Sequence, residues 1–348
     1  MHALCFHGIE DIRYSQIPDP ALLEPTDAIV EVKLASICGS DLHVYHGREL
    51  GQDPGTVMGH ELAGVIVEVG KEVRSFHAGQ RVLSPFTTSC GKCFYCLTGL
   101  TCRCEKGNLF GWVNHEQGLQ GAQAGYVRVP MADSTLVPLS NDLNYEKGLL
   151  LGDIFSTGYY CAENAAIDPA GVYVVIGCGP VGLMTILSAK SMGAAHLFAI
   201  DQVPSRLQKA VDFGAIAIDP GKENSKEIIF QHSNGRGADG VMEVVGSSLA
   251  MRLAIDLVRP GGIISSVGVH TATQFPFSPI EAYDKNLTFT IGRCPAKYYA
   301  ERLIKDELIQ QLPVEDIITH RFPLSEGKHA YEVFDKKLDN CIKALLVP

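Results

Sequence analysis

The sequence predicts an α/β chain in two parts: an all-β, barrel-like region and a doubly wound parallel sheet wrapped by helices. Three observations carry this prediction. Up to about residue 150 the chain is a series of short β-rich runs punctuated by Gly and Pro turns, the pattern of a sandwich or barrel. From Val172 to about Thr290 apolar β runs alternate with amphipathic helical stretches, the pattern of a parallel sheet. A chain of 348 residues is also long enough for two domains.

The β-rich runs of the first part are residues 28–35, 64–70, 80–85 and 125–130. In the second part, strands are predicted at 172–176, 197–200, 240–244, 263–267 and 287–290, with helices at 180–192, 204–213 and 248–258. From about Pro295 the chain returns to mixed elements and is expected to fold back onto the first part. The predicted domains are 1–154 with 294–348, and 155–293. Composition is that of an ordinary globular protein, 46% hydrophobic and 20% charged. The net charge of −10 argues against a nucleic-acid partner, which would need basic residues for phosphate. No secretory pattern opens the chain and no apolar run is long enough to span a membrane, so a cytoplasmic, soluble protein is expected.

The run Val172–Ile176 leads into Gly177-Cys178-Gly179-Pro180-Val181-Gly182 and then a small, apolar helical stretch. Glycine triplets are common by chance, but this one lies between strand and helix, the context a dinucleotide site requires. Gly177 permits the tight turn, Gly179 lets backbone approach a pyrophosphate, and Gly182 allows close helix–strand packing. The helix that starts at Pro180 offers free N–H groups, that of Val181 among them, to phosphate. Asp201, after the next strand, would accept hydrogen bonds from an adenosine ribose and repel a 2′-phosphate, which points to NAD. Arg206 nearby keeps NADP open as the alternative. Val245, Val267 and Val269 complete the expected cofactor contacts.

Eleven cysteines in a chain of this kind point to metal rather than disulfides. Cys90, Cys93, Cys96 and Cys104 can wrap one tetrahedral ion within a single loop, with Cys102 competing for the fourth place. Closed four-thiolate coordination leaves no position for substrate, so this zinc is expected to be structural.

Cys38-Gly39-Ser40-Asp41-Leu42-His43, Gly59-His60-Glu61 with Ala63-Gly64-Val65, the four-cysteine loop and the glycine triplet occur in that order. Together they resemble the zinc-dependent alcohol dehydrogenases of the medium-chain dehydrogenase/reductase superfamily, over essentially the whole chain. The resemblance implies a GroES-like β-barrel catalytic domain and a Rossmann NAD-binding domain. It implies a catalytic zinc held by Cys38, His60 and Asp153, three ligands with one position open. Several family members carry cysteine where Asp153 stands, so the set here is harder. Glu61 is expected beside the ligands or as an alternate ligand, and Thr157 at the nicotinamide. His60 alone would read as a core histidine; within this motif it reads as a ligand. Ser40 and His43 are the implied proton path, His43 being the near-neutral group close to solvent. Phe86 is the implied wall of the substrate pocket and Lys343 the implied pyrophosphate contact. The implied activity is NAD-linked oxidation of an alcohol to an aldehyde or ketone, in a homo-oligomer, with a tetramer favoured over a dimer. Polyol, threonine and formaldehyde-type dehydrogenases are alternatives within the family. A non-catalytic zinc-binding redox sensor and a zinc-free quinone reductase are set aside, because Cys38, Ser40, His60 and the four-cysteine loop are all present.

Overall fold

A computed structural model describes residues 1–348. The chain divides into two units, Met1–Ser156 with Pro295–Pro348, and Thr157–Cys294. The division falls inside the helix Ile154–Asn164.

The first unit is built on a seven-stranded sheet. Its spine runs Ile318–Pro323, Lys343–Val347, Ala28–Ser36, Leu62–Val69, Arg81–Ser84 and Val137–Pro138, with Tyr126–Val129 also pairing Ala28–Ser36. Each of the four β-rich runs read from the sequence is a strand here, shifted by a residue or two at its ends. Val30, Val32, Ile66, Val82, Val127 and Leu346 meet in one buried apolar cluster. Gly64 is needed in its strand because a Cβ there would lie 2.1 Å from the Glu31 carbonyl oxygen.

The register of this sheet decides what meets at its end. Ala35 pairs with Leu62, Leu62 with Ser84, and Ser36 with Leu345, all antiparallel. The residues just after Ser36, just before Leu62, just after Ser84 and just before Leu345 therefore share one end of the sheet. Those are Cys38, His60–Glu61, Phe86 and Lys343.

The second unit is a six-stranded parallel sheet in the order Ile216–Ile218, His196–Ile200, Val172–Ile176, Ala238–Glu243, Val258–Ser266, Thr288–Ile291. Val172–Ile176 is buried along its whole length, as a parallel strand covered on both faces must be. The order reverses between Val172–Ile176 and Ala238–Glu243, and such switch points place ligands outside the carboxyl ends of the strands. Among the elements that lay below the sequence signal are a strand and a helix. The strand Ile216–Ile218 is three residues at a sheet edge, and the helix Ser225–His232 starts on the Asn224 cap without a clear apolar stripe. The strand expected at 263–267 begins earlier, at Val258, because Pro260-Gly261-Gly262, which reads as a turn, is carried inside the strand as a bulge with Gly261 at φ +69°. No helix is long and apolar enough to cross a membrane.

Candidate functional site

At the shared strand end of the first unit, Cys38 follows Ala28–Ser36 and His60 and Glu61 precede Leu62–Val69. Asp153 arrives on a helix. Tyr145–Gly152 begins at Asn144, whose side chain accepts from the Lys147 N–H at 2.8 Å, and ends with Asp153 as its C-cap. Gly152 lets that helix close on the sheet, since a Cβ there would lie 2.5 Å from the Ser84 carbonyl oxygen.

The ligand atoms of Cys38, His60, Glu61 and Asp153 all lie within 4.8 Å of one another, and all four residues are buried. Asp153 Oδ2 is 3.6 Å from Cys38 Sγ and 3.3 Å from His60 Nε2. His60 Nδ1 faces Asp41 Oδ1 at 3.3 Å, so a proton on Nδ1 leaves the Nε2 lone pair aimed at the cluster. Glu61 Oε2 takes the Lys343 ammonium and the Ser36 hydroxyl, while its Oε1 is buried with no hydrogen-bond partner. Burial pushes the Cys38 thiol up, and the charges of Asp153 and Glu61 push it further. Burial also lifts Glu61, against the pull of Lys343. Burial alone would raise Asp153 as well, but the hydrogen bond and charge of His60, with Lys343, carry it below its ordinary range. For His60 burial acts downward and is outweighed by Asp41, Cys38 and Asp153, which hold it well above its usual value. One thiol and two carboxyls thus share this buried space with the Lys343 ammonium and the His60 ring. Buried anions at this spacing need a cation, and the S/N/O donor set suits zinc.

Ser40 Oγ lies 3.2 Å from His60 Nε2, at the edge of the cluster. The Phe86 ring stands edge-on to the His60 ring at 6.4 Å and is 6% exposed. His43 departs from the exposed, near-neutral histidine expected. It is half-buried, its Nδ1 has no partner, and burial, then Arg48 and His46, hold its pKa below the ordinary range. Lys343 requires a correction. Its side chain is 0% exposed and its Nζ donates to Glu61 and, at 3.1 Å, to the Ile37 carbonyl, so it presents nothing to a pyrophosphate. The cause is the antiparallel pairing of the last strand with Ala28–Ser36, which sets Lys343 beside Cys38.

The sulfurs of Cys90, Cys93, Cys96 and Cys104 also lie within 4.8 Å of one another. Cys104 Sγ accepts from the Cys90 N–H at 3.2 Å and the Lys106 N–H at 3.4 Å. Backbone N–H groups of Glu105 and Cys96 bring the Cys93 thiol down to about 6, and burial with Cys93 pushes Cys96 up to about 12. Cys102 stands outside the quartet, which removes it as the competing ligand.

In the second unit the glycine loop ends Val172–Ile176 and opens the helix Pro180–Ser191, with Gly179 as N-cap and Pro180 in its first turn. Gly177 has φ +96°, and a Cβ on Gly182 would lie 1.8 Å from the Gly177 carbonyl oxygen. A Cβ on Gly179 would meet nothing nearer than Arg206 Nη1 at 3.6 Å, so that face of the loop is open to a ligand. The Cys178, Gln202 and Val203 N–H groups hold the Asp201 carboxylate at 2.7, 2.7 and 2.8 Å. Arg206 Nε is buried with no partner. Val245 and Val269 are 45% and 41% exposed, and Val181, Val267 and the loop around them are partly open. Thr157 is buried on Ile154–Asn164.

Asp41 and Glu243 are among the groups that sequence reasoning missed. Asp41 lies inside the Cys38–His43 motif, but only the fold turns its carboxylate onto His60. Glu243 ends its strand fully buried, accepting from the Val245 and Gly246 N–H groups at 2.9 and 2.8 Å and from the Ser266 hydroxyl at 2.7 Å. It ties together the loops that carry Val245 and Val267; an acidic residue in an apolar strand was the available signal.

Comparison with known proteins identifies the family. Residues 24–141 match the family described as alcohol dehydrogenase GroES-like domain, and residues 180–304 the one described as zinc-binding dehydrogenase. Zinc-type alcohol dehydrogenase B of Aspergillus flavus is 41% identical over 343 residues, covering 96% of this chain and 79% of that one. The NADP-dependent isopropanol dehydrogenase of Clostridium beijerinckii is 30% identical over 92% of this chain and 93% of its own. Among solved structures, the alcohol dehydrogenase TADH from Thermus sp. ATN1 superposes with a TM-score of 0.93 at 39% identity, covering 100% of this chain and 99% of that one.

Proposed function

Because this chain belongs to the zinc-dependent alcohol dehydrogenases, with a nicotinamide cofactor as that family requires, we propose that Cys38, His60 and Asp153 hold its catalytic zinc and that NAD is its preferred cofactor. The observation that carries this reading is the convergence of the buried Cys38, His60, Glu61 and Asp153 ligand atoms within 4.8 Å. Zinc held there supplies Lewis acidity toward the substrate oxygen. Glu61, with its unpartnered oxygen, is the alternate ligand. Cys90, Cys93, Cys96 and Cys104 hold a second zinc that stabilises the fold and touches no substrate.

The unit Met1–Ser156 with Pro295–Pro348 is the catalytic part, and Thr157–Cys294 the cofactor-binding part. Phe86 walls the substrate pocket and keeps water from the ligand set. Ser40 takes the proton that the alcohol loses, and His43 delivers it toward solvent. Gly177, Gly179, Pro180, Val181 and Gly182 receive the pyrophosphate against the helix start. Thr157, Val245, Val267 and Val269 line the cofactor, which supplies the hydride acceptor. NAD is favoured by Asp201, whose carboxylate is already oriented by three N–H groups and would repel a 2′-phosphate. We place the enzyme in the cytoplasm as a homo-oligomer, with a tetramer preferred on chain length and acidic charge.

The test is metal analysis together with steady-state kinetics on a panel of alcohols with NAD and NADP. Two zinc ions per chain and a higher kcat/KM with NAD are expected. A higher kcat/KM with NADP would assign the 2′-phosphate to Arg206 and end the NAD reading.

A further inference from the structure

The hydrogen bonds of His60 do not stop at Asp41. Asp41 Oδ2 accepts from the Cys38 N–H at 2.9 Å and from Gln123 Nε2 at 3.2 Å. Gln123 Nε2 also donates to the Ser36 carbonyl at 3.0 Å, and Gln123 Oε1 accepts from the Tyr331 hydroxyl at 2.9 Å. The chain Tyr331–Gln123–Asp41–His60 joins residues almost as far apart in sequence as the protein allows. Tyr331 and Gln123 are 0% exposed, Asp41 is 5% and His60 is 8%.

The direction of every bond in this chain is set. An ionised Asp41 only accepts, so the amide nitrogen of Gln123 must face it and the amide oxygen must face Tyr331. Tyr331 must then donate. Burial, with the charge of Asp41, holds the Tyr331 hydroxyl well above its usual pKa, so it keeps its proton.

A second observation points to the same side chain. Gly59 has φ +89°, and a Cβ there would lie 2.4 Å from Gln123 Cγ. The glycine of Gly59-His60-Glu61 therefore leaves the space that Gln123 fills. The helix Gly327–Lys336, which carries Tyr331, grips the same region again, since Asp335 Oδ1 meets His46 Nε2 at 2.8 Å just beyond the Asp41–Tyr45 helix.

We infer that Gln123 and Tyr331 are positioning residues for the metal-site histidine: they fix the Asp41 carboxylate, which fixes the His60 ring with Nε2 toward Cys38 and Asp153. Through them the C-terminal helix sets the geometry of a ligand that lies 271 residues earlier in the chain (331 − 60). The inference rests on the reading of Cys38, His60 and Asp153 as the catalytic zinc set. Neither residue touches substrate or metal.

The experiment compares full-length, zinc-loaded wild type with Gln123→Met, Gln123→Glu and Tyr331→Phe, following zinc release to a chromogenic chelator. The four-cysteine zinc serves as internal reference, and cobalt substituted at the buried set gives a visible absorption spectrum. Loss of an outer partner of a ligating histidine weakens metal binding about 10- to 100-fold. Gln123→Met is expected to speed release from the buried set within that range, leave the four-cysteine zinc unchanged and shift the cobalt bands. Gln123→Glu should release at least as fast, because it faces Asp41 with a like charge. Tyr331→Phe, which removes one oxygen and should fold, is expected to give a smaller change of the same kind. Wild-type release and cobalt spectra in Tyr331→Phe and Gln123→Met would overturn the inference. So would equal acceleration at both metal sites, which is the signature of general loosening. A wild type that holds zinc only on its four cysteines would overturn the premise, and the inference with it.

Discussion

The two metal-binding clusters of the first unit are built by opposite means. The four-cysteine cluster is drawn from one short loop, its residues are only half-buried, and backbone N–H groups of the same loop tune its sulfurs. The Cys38–His60–Glu61–Asp153 cluster is drawn from two strand ends and a helix cap, and all its members are buried. A loop that closes on itself can hold an ion whatever the rest of the chain does, so it suits a structural role. A cluster assembled by sheet register exists only in the folded protein, and its burial keeps water out and sharpens every charge in it. On the function proposed above, the difference separates holding a fold together from doing chemistry.

The sharpest way to break this comparison is to disable each cluster in turn. Asp153→Asn should cut turnover by at least about 100-fold, the upper end of what even an outer-shell loss costs, while the four-cysteine zinc stays bound. Cys93→Ala should do the reverse, losing one zinc and lowering the thermal midpoint because the bound metal contributes to folding. An Asp153→Asn protein with two zinc ions and near-normal turnover would move the third ligand to Glu61.

A smaller effect tests the placement of Lys343. As a pyrophosphate contact, its loss would raise the KM for NAD and leave stability alone. As the counter-charge of Glu61, Lys343→Met strands a buried carboxylate and should cost about 3–5 kcal/mol in denaturant unfolding. Wild-type stability with a raised KM would reverse the assignment made here.

The smallest expected effect concerns the proton path out of the buried cluster. His43 is held below the ordinary histidine pKa of about 6.5, so it stays able to accept a proton until the pH falls beneath that value. The unfolded chain binds that proton more readily, so the stability contribution is intact above about pH 6.5 and falls as the pH drops toward the lower folded-state pKa, while the folded imidazole stays neutral across that window. His43→Gln should lower kcat only modestly, flatten the acid limb of the pH profile, and respond to small amine bases. An unchanged profile with no response to bases would leave Ser40 without this outlet.

Much of the fold was legible because it rests on short-range signals. Alternating runs marked the strands of both units, and the switch to strand–helix alternation marked the parallel sheet. What escaped was short or masked: the edge strand Ile216–Ile218, and the start of Val258–Ser266 behind a Pro-Gly-Gly stretch. At the site, Cys38, Ser40, His60 and Asp153 were singled out by the family resemblance, and the fold brings them together. Lys343 was misplaced and Asp41, Gln123, Tyr331 and Glu243 were overlooked. Lys343, Gln123 and Tyr331 owe their positions to residues far away in the chain, and Asp41 and Glu243 have partners both near and distant in sequence.

The sequence by itself determined the features whose geometry closes within a few residues. A glycine is required at φ +96° wherever Gly177 turns, and four cysteines at short spacing meet wherever their loop folds. The tertiary structure alone decided the features that depend on which strands lie side by side. The pairing of Lys343–Val347 with Ala28–Ser36 turned an expected cofactor contact into the partner of Glu61, and the packing of Gly327–Lys336 placed Tyr331 behind Gln123 and His60. The physical reason is that local spacing constrains the backbone of a loop directly, whereas strand order and register are settled by burying apolar faces across the whole unit.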